Sequence, residues 1–173
     1  MLLKNRFVVS KKTLVIASVS VAVIIACLAF VVVLAQQNKA NNTSNKSSEQ
    51  PQFSTLLPKG KSITSLGGWS RISPPSSEPV FAYNDTIAGI SVNVSQQPLP
   101  KSFESNVDTQ VAELAKQYSA TNQISAGDTK VYIGTSSKGP QSLIFVKNNL
   151  LILIKSQQKI DNKDWSKYIE SLS

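Results

Sequence analysis

Glu104 and Asp108 stand four residues apart. That spacing puts two side chains on one helix face, where a carboxylate pair could do general acid and base work. Asp161 and Asp164 make a second acidic pair, three apart. Ser136-Ser137-Lys138-Gly139, with Gly134 before it, has the residue types of a phosphate-binding loop but neither its spacing nor its Gly-Lys-Ser/Thr order. Each has a plainer reading. Acids at 104 and 108 suit the N-terminus of a helix, Asp161 and Asp164 suit an N-cap and its third position, and residues 136–140 suit a hairpin turn. Histidine is absent and Cys27 is the single cysteine. Metal sites built from His and Cys, and triads or dyads that use His, are therefore excluded. A Ser–Lys dyad needs only residues the chain has, with hydroxyl and amine within ~3 Å. No catalytic, cofactor-binding or metal-ligating residue is assigned. The chain is expected to be no enzyme and to need no cofactor. Trp69 and Trp165 could anchor a peptide or glycan if exposed, but both are expected in the core. The Asn-x-Ser/Thr sites at Asn41, Asn42, Asn45, Asn84 and Asn93 would matter only in a eukaryotic secretory pathway, to which nothing else points.

Upstream lies the stretch that sets the topology. Thr13–Ala35 holds 23 residues without a charge, proline or glycine, and 14 of them are Leu, Ile, Val or Phe. As a helix it would be about 34 Å long, enough to cross a hydrocarbon core of ~30 Å. Its polar side chains, Thr13, Ser18 and Ser20, can bond to carbonyls one turn back. Lys4, Arg6, Lys11 and Lys12 precede it with no acid, so the positive-inside rule places Met1–Lys12 in the cytoplasm and the remainder outside. Two cleavage readings compete with a retained anchor. Val33-Leu34-Ala35 resembles a signal-peptidase site, but the apolar run exceeds the ~7–15 residues of a signal peptide. Ile24-Ile25-Ala26-Cys27 resembles a lipobox that would lipidate Cys27, but Leu28–Leu34 stands where a polar tether belongs. A retained signal-anchor is expected, with Cys27 a small apolar residue facing lipid.

The net charge of +8 suggests nucleic acid until it is divided. The tail carries +4, while from Pro51 to Ser173 12 Lys and Arg against 9 Asp and Glu leave about +3, scattered singly. No nucleic-acid partner is expected. Gln36–Gln50 contains no large apolar residue and reads as a flexible tether, bounded at residue 55; counted to Phe53 its 18 residues span about 20–25 Å. Residues 56–173 are long enough for one domain with its own core. That domain has no cysteine, so no disulfide supports it.

The pattern from Trp69 onward alternates between two periods. Strands are expected at Trp69–Ile72, at Val80–Tyr83 with Asn84-Asp85 as a turn, and at Ile90–Ser95, stopped by Pro98 and Pro100. Phe103, Val107, Val111, Leu114 and Tyr118 form a helical stripe with Ser105 as the expected cap. Further strands are expected at Gln123–Ala126, Lys130–Thr135, Ser142–Lys147 and Leu150–Lys155. A last helix is expected over Asp161–Leu172, with Trp165, Ile169 and Leu172 inside. Leu150–Ile154 is apolar on both faces, so both faces of the sheet should be covered. The fold class is α+β: one extracytoplasmic domain with a mostly antiparallel sheet and two packed helices.

The run Val80–Tyr83, Ile90–Pro98, Thr129–Gly134, Ser142–Phe145 with Leu150–Ser156, and Trp165–Leu172 resembles an extracytoplasmic domain of unknown function found on small membrane-anchored bacterial proteins. Some of those carry a cytoplasmic anti-sigma-like module, for which a 12-residue tail without His or Cys leaves no room. The resemblance implies a cell-envelope location and brings no catalytic residues. The function expected is a single-pass membrane protein with a non-enzymatic outer domain that binds an envelope protein, a cell-wall component or the membrane surface. The alternative is a carrier or sensor of a lipid or small apolar ligand, which would need an enclosed apolar cavity.

Overall fold

The computed structural model describes residues 49–173. The expected basic tail, the span at Thr13–Ala35 with Cys27, and the tether as far as residue 48 lie outside the described residues. No helix among the described residues is long and apolar enough to cross a membrane.

The strand that is apolar on both faces takes the centre of the sheet. In chain order the elements are β1 (Ser70–Arg71), β2 (Phe81–Ile87), β3 (Ile90–Pro98), a 3-10 turn (Lys101–Phe103), α1 (Val107–Gln117), β4 (Asn122–Ala126), β5 (Thr129–Thr135), β6 (Gln141–Lys147), β7 (Leu150–Ser156) and α2 (Asn162–Ser171). The seven strands form one sheet in the order β1-β2-β3-β7-β6-β5-β4, with every neighbouring pair antiparallel. The chain builds β1–β3, crosses one face through α1 to the far edge, and walks back until β7 pairs with β3.

Strand alternation sorts the core into two layers. One face presents Phe81 and Tyr83 of β2, Val94 of β3, Ile152 and Ile154 of β7, Leu143 and Phe145 of β6, and Val131 and Ile133 of β5. Trp165, Tyr168 and Ile169 of α2 pack into this layer. The other face presents Ala82, Leu151, Ile144 and Tyr132, all buried, and α1 lies on its β5–β6 half with Val111, Leu114 and Ala115 inward. The backbone just after α1 passes close over Gly134. A Cβ there would sit 2.5 Å from the Ser119 carbonyl oxygen, so only glycine fits. Both faces are covered, as the doubly apolar β7 requires.

On the α2 face the β2–β3 half is closed by an irregular segment, Phe53–Trp69. Phe53 lies 6.0 Å from Phe81 between ring centroids, and Trp69 packs edge-on against Tyr83 at 5.3 Å. Gln96 of β3 has no exposed surface, yet it is polar. Its amide meets both backbone groups of one residue: the Leu56 N–H donates to Oε1 at 2.9 Å, and Nε2 donates to the Leu56 carbonyl at 2.6 Å, with a further side-chain hydrogen bond to Tyr83. The segment also pairs with the end of the chain. Lys59 N–H donates to the Ser171 carbonyl at 2.8 Å, and Ser173 N–H to that of Leu57 at 3.0 Å, around an isolated bridge between Pro58 and Leu172.

Local structure departs from the sequence reading in a few places. Asn84 and Asp85 are not a turn but the middle of β2. The chain reverses at Ala88-Gly89, with φ of 49° and 81°, which supplies the paired left-handed residues of a tight hairpin. Asn148-Asn149 turns in the same way, at 49° and 59°. Strand β3 runs through Pro98 rather than stopping before it. Helix α1 is capped by Asn106, not Ser105, with the Thr109 N–H donating to its Oδ1 at 3.3 Å. Phe103 belongs to the separate 3-10 turn.

Candidate functional site

The chemically suggestive residues of the sequence do not converge. Glu104 closes the 3-10 turn while Asp108 lies in the first turn of α1, so the two share no helix. Asp161 occupies the N-cap position of α2, but its carboxylate makes no capping bond. Its backbone carbonyl accepts from Asp164 and Trp165 N–H at 3.0 Å each. Ser136–Pro140 is the β5–β6 hairpin loop, closed by the Ser136 N–H donating to the Pro140 carbonyl at 2.8 Å. Trp69 and Trp165 are both buried. Trp165 Nε1–H donates to Gln141 Oε1 at 2.9 Å, the same oxygen that takes the Ile160 N–H, so Gln141 fixes the approach to α2.

One polar cluster was not legible in advance. The Asp85 side chain, only 4% exposed, pairs with Lys61. Tyr168 O–H donates to its other oxygen at 3.0 Å, and the Tyr83 hydroxyl lies 3.4 Å from that of Tyr168. Burial is the main force raising both phenols above their ordinary range, with the Asp85 carboxylate adding to it at each. The cluster ties the Phe53–Trp69 segment to β2 and α2. Its groups are partnered, and all but Lys61 are largely buried, so it serves the fold.

The accessible site lies at the other end of the sheet. Strand β5 begins at Thr129 and β6 runs to Lys147, yet residue pairing between them ends at Val131 with Phe145. The strand ends part, and a cleft of about 600 Å3 opens there. Its apolar wall comes from Val107 and Val111 of α1, Tyr132 of β5 and Val146 of β6. Its charged groups come from five places in the chain: Asp108 in the first turn of α1, Asp128 in the β4–β5 turn, Lys130 on β5, Lys147 at the end of β6 and Glu170 in the last turn of α2.

These charges form no ion pair with one another among the described residues. Glu170 accepts the Gly127 N–H at 2.9 Å through Oε1. Lys147 Nζ donates to the Ile169 carbonyl at 2.7 Å, at the C-terminal end of α2, where a cation is favoured. Desolvation lowers the Lys147 amine from its ordinary value, and the nearby Glu170 opposes that shift. Lys130 Nζ stands 5.5 Å from the Tyr132 ring centroid. The ion pairs among the described residues join Lys61 to Asp85, Arg71 to Glu49 and Lys116 to Glu113, and none links a cleft lysine to a cleft carboxylate. Asp108 and Asp128 are both exposed. No cluster of three or more potential metal ligands occurs among the described residues. The arrangement suits recognition of a charged ligand by both signs at once. Of these residues the sequence had marked only Asp108, and as a helix-start acid. Nothing in linear spacing joins it to Asp128, Lys130, Lys147 and Glu170.

No protein-family model matches the chain, and neither does any curated protein or solved structure.

Proposed function

We propose that the chain is a non-enzymatic, single-pass protein of a bacterial cell envelope whose outer α+β domain binds an envelope component through the cleft at the parted ends of β5 and β6. The anchor is Thr13–Ala35, with the basic tail inside. The resemblance to extracytoplasmic domains of small membrane-anchored proteins agrees with this placement. The observation that carries the binding reading is the set of charged side chains of both signs that line one cleft without pairing. The alternative of an apolar ligand has less support, because the cleft has a charged rim where an apolar carrier needs an enclosed apolar wall.

The test uses the full-length protein in intact cells, with a photo-crosslinking residue at position 128 and, as control, at position 138 on the β5–β6 hairpin. Protease added outside is expected to remove the domain, and light is expected to give a discrete adduct at 128 and none at 138. A domain protected from external protease overturns the topology. Equal labelling at both positions, or none, overturns the cleft as the binding site.

A further inference from the structure

We infer that the ligand of the cleft is a short zwitterionic peptide, a few residues long, carrying a free carboxylate and a free ammonium; this rests on the binding reading above. A ligand with one sign of charge would satisfy Lys130 and leave Asp108 and Asp128 alone, or the reverse. A zwitterion satisfies both. The Lys130 ammonium takes the carboxylate, and the carboxylates of Asp108 and Asp128 take the ammonium, each as a charge-assisted hydrogen bond. The two remaining charged groups are already engaged with backbone: Lys147 with the Ile169 carbonyl, Glu170 with the Gly127 N–H. They set the shape of the cleft and leave the recognition to the other three.

Size and shape narrow the class. A volume of about 600 Å3 is in the range of pockets that hold drug-sized ligands, larger than a single amino acid fills. The wall formed by Val107, Val111 and Val146 accepts a small apolar side chain between the two charged ends.

The experiment is a calorimetric titration of the full-length protein in detergent micelles with unblocked tetra-alanine, its N-acetylated form and its C-terminal amide. Saturable binding of the unblocked peptide is expected, with each blocked form at least about tenfold weaker, about 1.4 kcal/mol per lost charged contact. Lys130→Gln should weaken the unblocked peptide by a similar factor and abolish its advantage over the amide. Asp108→Asn with Asp128→Asn should do the same with respect to the acetylated form. Raising salt should weaken the unblocked peptide most. Equal affinity for all three peptides overturns the assignment. So does absence of saturation below about 10 mM while tryptophan fluorescence shows a folded domain. If the peptide fails but the adduct at position 128 persists, only the ligand class is wrong. Loss of that adduct as well removes the binding reading.

Discussion

Gln96 shows how one polar side chain can direct a whole segment. It sits on a central strand among Phe81, Ile152, Phe145 and Val131, a row otherwise apolar. Its amide meets both backbone groups of Leu56, so the burial carries little penalty. Gln96→Leu leaves that N–H and C=O without partners and should cost about 2–4 kcal/mol. Urea unfolding followed by tryptophan fluorescence would record this as a lower midpoint at unchanged slope. Gly134→Ala acts by contact alone, since the new methyl would overlap the Ser119 carbonyl and backbone must move to relieve it. A loss of about 1–3 kcal/mol is expected, by the same measurement. The phenols of Tyr83 and Tyr168 give a pH dependence. Both are held protonated in the fold, mainly by burial, whereas in the unfolded chain they ionise near pH 10. The unfolded state therefore sheds protons that the folded state keeps. Their contribution is complete below pH ~10 and is lost as pH rises above it. In an alkaline titration, the phenolate absorbance of these two residues should appear together with the loss of tryptophan fluorescence, not before it.

At the scale of elements, the chain is closed by the segment Phe53–Trp69 rather than by a third helix. It holds to the sheet through Gln96, to α2 through the Lys61–Asp85–Tyr168 cluster, and to the last residues through the Pro58–Leu172 bridge. These ties share neighbours, so they should open as one unit. Hydrogen exchange of Leu57, Lys59 and Ser173 is expected to occur at one common rate. Gln96→Leu should speed all three together, and separate rates would argue against a unit. Helices and most strands were legible because their periods differ and their apolar positions are many. The misplaced turn at Asn84-Asp85 has a physical reason. Asp85 looks like a turn former on its own, but Lys61 and Tyr168, remote in sequence, give its carboxylate partners inside a strand. The cap of α1 moved by one residue for a similar reason, since Ser105 and Asn106 are both competent caps and the preceding 3-10 turn decides which one is in place.

For the whole molecule, charge and topology divide the chain. Half of the net charge of +8 lies in the first 12 residues, ahead of the apolar stretch. The absence of histidine removes one large class of chemistry whatever the fold. The cleft belongs to this scale, because its charges come from both helices, the β4–β5 turn, the start of β5 and the end of β6. Its apolar wall was visible as the stripe of α1, but nothing in that stripe says which strand ends part beside it.

The sequence by itself determined the α+β class, the succession of seven strands and two helices along the chain, and the covering of Leu150–Ile154 on both faces, while the order of the strands in the sheet came from the tertiary structure. The first three depend on local periodicity, which a single segment carries within itself. Tertiary structure alone decided the place of Gln96, the partners of Asp85, the closeness that keeps position 134 glycine and the meeting of Asp108, Asp128 and Lys130. Each of these depends on which residues become neighbours across the sheet, and linear order does not record that. The same holds for the chemistry first suggested by spacing. Glu104 and Asp108 stand one helical turn apart in the sequence, but the chain breaks between them, and Asp108 instead faces a cleft with groups from the other end of the domain.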